Sequence, residues 1–73
     1  MIEIEFNLRL AEQRDRLQTL DIGESIDLPQ LADRLGLKNG DVGMLLVNGA
    51  WAQLDSVIKD GDRVQLYPYM EGG

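Results

Sequence analysis

The sequence predicts an α+β domain, a mixed four- to five-stranded sheet with one main helix packed on one face. Three observations predict it. Apolar and polar residues alternate from Ile2 to Leu10, the mark of a half-buried strand. A single helical segment with its own start and stop signals spans residues 28–35. The apolar run Met44–Val47 meets Asn48-Gly49, a strong hairpin signal, and one more turn and strand follow.

In order, Ile2, Ile4, Phe6, Leu8 and Leu10 share one face of the first strand. Residues 11–16 read as a solvated charged loop, with a short helical turn as the alternative. Leu17 to Ile22 reads as a second strand, antiparallel to the first, punctuated by Gly23-Glu24. Asp27 is suited to cap the helix, with Pro29 in its first turn and Gln30 three residues on; Ser25 is a competing cap. Leu28, Leu31, Ala32 and Leu35 follow helical spacing and should face the sheet, and Gly36 is placed to end the helix. Leu37 then folds back onto the core.

Residues 38–41 form a turn, and Asp41-Val42-Gly43 an irregular lead-in to the strand Met44–Val47. Ala50–Ala52 is the returning strand. Its Trp51 invites a ligand-site reading; the plainer one is that it covers the hairpin or the edge of the core. Residues 53–59 cross the sheet edge on one or two apolar anchors. Asp60-Gly61-Asp62 turns the chain into the strand Val64–Tyr67, and Pro68, lacking a donor, is expected to stop further pairing. A lone helix after an opening hairpin must cover one face of the sheet, and the first and last strands can then lie parallel at its centre. That is the ubiquitin-like β-grasp arrangement, expected over residues 1–68, with residues 69–73 as a flexible tail.

Composition narrows the function. The 73 residues make one domain, 44% apolar, with room for one core and no deep cleft. Seven basic against thirteen acidic residues give a net charge of −6, which makes nucleic acid a poor partner and suits a basic protein partner. No cysteine and no histidine occur, so a cysteine nucleophile, a disulfide and the commonest base and metal ligand are all missing. The acids of Asp60-Gly61-Asp62 are too few to hold a metal and read as a turn. No apolar run is long enough to cross a membrane and no signal-peptide pattern is present, so cytoplasmic residence and no membrane partner are expected. A monomer is expected for the isolated domain.

The tail carries the functional signal. Gly72 and Gly73 can thread a narrow channel and leave a terminal carboxylate open to attack. Such a carboxylate, with a pKa of about 3.3–3.7, is ionised and a poor electrophile, so another protein must activate it. Tyr67, Tyr69 and Met70 are candidate contacts for that partner, since aromatic residues and methionine are enriched in interface cores. For Tyr67, ordinary sheet packing is the equal alternative.

At Val47-Asn48-Gly49, at Asp60-Gly61-Asp62-Arg63-Val64 and from Tyr67-Pro68 to Gly72-Gly73, the sequence resembles the MoaD/ThiS family of ubiquitin-like sulfur carriers in molybdopterin and thiamine synthesis. The resemblance spans nearly the whole chain and is strongest from Leu35-Gly36 onward. It implies no bound cofactor. A separate activating enzyme, related to the ubiquitin-activating enzymes, would use ATP to adenylate Gly73, and a sulfur donor would convert it to a thiocarboxylate. Gly72 would be the slim neighbour that lets the tail enter the partner's site, and a large synthase subunit is a possible further partner. The chain would thus be a carrier and no enzyme. Two features depart from the family pattern. Glu71 stands where such tails are often small, either tuning the choice of partner or aiding solubility. The length lies between typical thiamine and molybdopterin carriers, which leaves the pathway open. A protein modifier joined through Gly73, and a non-covalent β-grasp interaction module, are the alternatives.

Overall fold

The structure is a computed structural model that describes residues 1–12, 14–38 and 40–69. Its centre follows from the N-terminal alternation. In β1, Ile2–Phe6, the side chains of Ile2, Ile4 and Phe6 are buried while Glu3 points away from the core. In β7, Arg63–Pro68, Val64, Leu66 and Pro68 are buried in the same alternating way. The two strands pair in parallel, Ile4 opposite Val64 and Phe6 opposite Leu66, so both present an apolar face to the same side. Strand β2, Leu17–Leu20, lies antiparallel outside β1, and β4, Val42–Val47, lies antiparallel to β7. The hairpin partner β5, Ala50–Ala52, forms the far edge. The mixed sheet therefore runs β2-β1-β7-β4-β5, the expected β-grasp order with the last strand at its centre.

The helix α1, Leu28–Arg34, closes the apolar face, with Leu28 and Leu31 buried among Ile4, Phe6, Leu45 and Leu66. Asp27 caps it. Its carboxylate accepts the Gln30 N–H at 2.8 Å, and the Gln30 side chain accepts the Asp27 N–H at 3.2 Å. Ser25 lies instead in a short strand, β3, Ser25–Asp27, which pairs with β6, Val57–Lys59. This two-stranded ribbon supplies Ile26 and Ile58 to the core. Gly36 ends the helix at φ +75°, and the Leu37 N–H returns to the Ala32 carbonyl at 2.8 Å, which folds Leu37 against the core as expected.

Four sequence expectations are corrected. The first strand stops at Phe6, although its alternation continues to Leu10. Asn7 is buried, and its backbone N–H at 3.1 Å and its side-chain amide at 3.3 Å both donate to the Leu66 carbonyl. Leu8 then turns at φ +55° and is 60% exposed, and a 3₁₀ turn, Leu8–Ala11, brings Leu10 back into the core. Second, β4 begins at Val42, with a register shift between Val42 and Met44. Third, Pro68 is buried inside β7, opposite Val42; a fixed extended φ is tolerated at a strand end. Fourth, Trp51 does not cover the core edge and is 71% exposed. Ala50 and Ala52 stand opposite Val47 and Leu45 on the core side, so Trp51 between them must point away.

Candidate functional site

The sequence-predicted site residues divide at Tyr69. Met70, Glu71, Gly72 and Gly73 lie outside the described residues. Tyr67 and Tyr69 lie inside them, at the end of the sheet where the chain leaves it.

Tyr67 is half-buried on the face of the sheet opposite the helix, across from Met44. Leu46 and Trp51 lie on that same face. Tyr69 is 50% exposed and stands beside a groove between α1 and β4, lined by Leu28, Ala32, Leu37, Val42 and Leu54. Its backbone is held on two sides. The Arg9 guanidinium donates from Nη2 to the Tyr69 carbonyl at 3.1 Å. Gly43 approaches so closely that a Cβ built on it would sit 2.6 Å from Tyr69 Cα and 2.7 Å from Tyr69 N.

The opposite end of the sheet is built by the turn motifs of the sequence. Asn48 and Gly49 take φ +53° and +83°, the left-handed pair a tight two-residue hairpin needs. The Asn48 side chain accepts the Arg63 N–H at 2.9 Å and donates to Asp62 Oδ1 at 3.0 Å. The other Asp62 oxygen accepts the Lys59 N–H at 2.9 Å. That backbone donor, with the Asn48 amide second, holds the Asp62 carboxyl below the ordinary range. Glu5 is also lowered, chiefly by the Gln65 amide, which donates to it at 2.9 Å. The Asn48 bonds tie the β4–β5 hairpin to the start of β7, and the Gln65–Glu5 bond ties β7 to β1. Among the described residues no cluster of three or more acidic, histidine or cysteine side chains could hold a metal. No helix among them is long and apolar enough to cross a membrane.

Sequence reasoning missed Arg9, Asn7 and Gly43. Arg9 fits the alternation of a solvent-facing strand position, and nothing in its neighbours marks it. A glycine inside a strand pattern does signal a bulge or a close backbone approach, and Gly43 is such a case.

Known structures share this fold. A structure of SAMP1 from Haloferax volcanii superposes with a TM-score of 0.72 at 24% identity, covering 99% of this chain and 98% of that one. The thiamine biosynthesis protein ThiS of Geobacter metallireducens gives 0.58 at 24% identity, over 97% and 99% of the two chains. A chain from the complex of subunits 1 and 2 of the molybdopterin-converting factor of Helicobacter pylori gives 0.55 at 24% identity, over 99% and 97%. At these identities the likeness is one of fold, the ubiquitin-like β-grasp. No protein of curated function matches the sequence. The Mut7-C ubiquitin family model matches residues 3–72, nearly the whole chain, and the ubiquitin-like character read from the residues is thereby met. The chain belongs to the Mut7-C ubiquitin family.

Proposed function

We propose that the domain is a sulfur carrier whose Gly73 carboxylate is adenylated by a separate activating enzyme and converted to a thiocarboxylate for cofactor synthesis. The observation that carries this reading is the route of the chain. The central strand β7 runs to Pro68 and delivers Tyr69 to the rim of the sheet. Gly72 and Gly73 stand three and four residues further on. Support also comes from the structural neighbours, one a thiamine biosynthesis protein and another from a molybdopterin-converting factor pair. The latter suggests a larger synthase subunit as a partner.

The chemistry follows from what this chain offers. It supplies no histidine and no cysteine, so the activating groups come from the partner. The carboxylate attacks the α-phosphorus of ATP and pyrophosphate leaves. Hydrosulfide supplied by the sulfur donor then attacks the acyl carbon, AMP leaves as the C–O bond breaks, and loss of the sulfur-bound proton gives the thiocarboxylate. Gly72 and Glu71 pass along the entry to the nucleotide site, and Tyr67, Tyr69 and Met70 contact the partner. A glycine at position 73 leaves the carbonyl uncrowded during both displacements.

Incubation with ATP, a candidate activating enzyme and a sulfur source, read by intact mass, tests the proposal. One oxygen-for-sulfur exchange at Gly73 is the expected result. An isopeptide adduct to a lysine would identify a modifier instead. Retained biological activity after removal of Gly72 and Gly73 would identify a non-covalent interaction module. Gly73→Ala should lower the adenylation rate by about tenfold or more while the dissociation constant from the enzyme stays nearly unchanged.

A further inference from the structure

We propose that Gly43 and Arg9 form a clamp on the Tyr69 backbone that fixes where, and in which direction, the C-terminal segment leaves the sheet. The proposal deepens the carrier reading and rests on it for its functional consequence, though the clamp itself can be tested apart from that reading.

Gly43 is the first half of the argument. Many glycines are needed for a left-handed turn, as Gly36 and Gly49 are here. Gly43 is not among the positive-φ glycines. What demands a glycine is space. An added Cβ would meet Tyr69 Cα at 2.6 Å, N at 2.7 Å and Cγ at 2.9 Å. Favourable carbon contacts lie at about 3.5–4.0 Å, and two of these three obstacles are backbone atoms that cannot swing aside. The register shift between Val42 and Met44 is what presents the bare face of residue 43 to the chain leaving β7.

Arg9 is the second half. It would face solvent had β1 continued as its alternation suggests. Asn7 ends the strand instead, and the 3₁₀ turn at Leu8–Ala11 carries Arg9 to the rim where β7 finishes. There its guanidinium takes the Tyr69 carbonyl at 3.1 Å. The amide and Cα of residue 69 thus rest on Gly43 while its carbonyl is held by Arg9. These contacts come from opposite neighbours of β7, from β4 and from the chain after β1.

The consequence is geometric. Four residues extend at most about 14 Å, so the volume Gly73 can reach is centred on Tyr69. A short lever aimed by a fixed anchor loses fewer conformations on entering a partner's site, and small misplacements at a reacting carbonyl are expensive in rate. Arg9 and Gly43 are positioning residues and touch no reacting atom.

The test uses chymotrypsin, read by intact mass as loss of residues 70–73. Pro68 protects the bond after Tyr67, so cleavage after Tyr69 is resolved from it. A protease must draw out the backbone around its target bond, so the rate reports local release. Arg9→Gln should raise that cleavage about fivefold or more with the thermal midpoint unchanged, Arg9→Lys should restore part of the protection, and Gly43→Ala should raise cleavage further. If Gly43→Ala fails to fold, the exposed Arg9 variants decide the matter. Cleavage in Arg9→Gln within twofold of wild type would overturn the clamp. In the sulfur-loading assay Arg9→Gln should lower kcat and leave KM in place. Failure of wild type to load sulfur would sink the carrier reading and leave the cleavage result standing; loading with unchanged cleavage would sink the clamp alone.

Discussion

Replacing Asn48 by aspartate sets a second carboxylate against Asp62. The Asn48 amide donates to Asp62 Oδ1 at 3.0 Å, and both groups lie near the surface between β4 and β7. The substituted carboxylate keeps the acceptor for the Arg63 N–H and a side chain tolerant of left-handed φ, so hairpin geometry is preserved. What changes is one lost hydrogen bond and one new repulsion. The bond is worth about 1 kcal/mol. Two unit charges held at the 3.0 Å of the present bond repel by about 1.4 kcal/mol even at the dielectric constant of water. The sum is about 2 kcal/mol at neutral pH, or roughly 8–16 °C in Tm for a domain of this size. In wild type the Asp62 pKa is depressed. Its contribution is therefore present above the unfolded value of about 3.9 and is lost as pH falls through the lower folded value. In the variant the two carboxylates share a site, which raises one folded pKa. That penalty is absent while the pair holds a proton and grows as pH rises through the raised value. Thermal unfolding followed by circular dichroism from pH 3 to pH 8 should show a wide gap between the proteins at pH 8 that narrows toward pH 4. A gap that is constant across this range, or below about 2 °C at pH 7, would refute the electrostatic account.

The core and its rim yield further expectations. Leu45 is fully buried between α1 and the central sheet, and Leu45→Ala should cost about 2–5 kcal/mol, seen as a lower denaturation midpoint at unchanged slope. Arg14 lies 4.9 Å over the Phe6 ring, and its Nη1 reaches the Leu35 carbonyl at 3.5 Å. Its buried Nε finds no partner among the described residues. Arg14→Ala should therefore lose about 1 kcal/mol through packing, while Arg14→Met keeps most of the stability in the same urea titration.

Much of the scaffold is legible in the residues because the signals are local. Period two in Ile2–Phe6 marks the inner face of β1, and Asp27, Gln30 and Gly36 mark both ends of α1. Asn48-Gly49 sets the hairpin through backbone angles that those two residue types accept. The composition, empty of histidine and cysteine, directs attention to the terminal glycines without any fold at all.

Other features depend on contacts between residues far apart in the chain. The alternation from Ile2 to Leu10 carries no sign that Asn7 will be buried against Leu66, because that bond exists only once β7 lies beside β1. Trp51 faces outward because the two alanines beside it stand opposite core residues of β4, a register no single strand contains. The Arg9–Tyr69 and Gly43–Tyr69 contacts join segments 60 and 26 residues apart. Sequence periodicity determined which faces are apolar and where the turns fall, since both are properties of a few consecutive residues. Only tertiary pairing decided what holds the end of β7, since that requires three distant segments to meet at one rim.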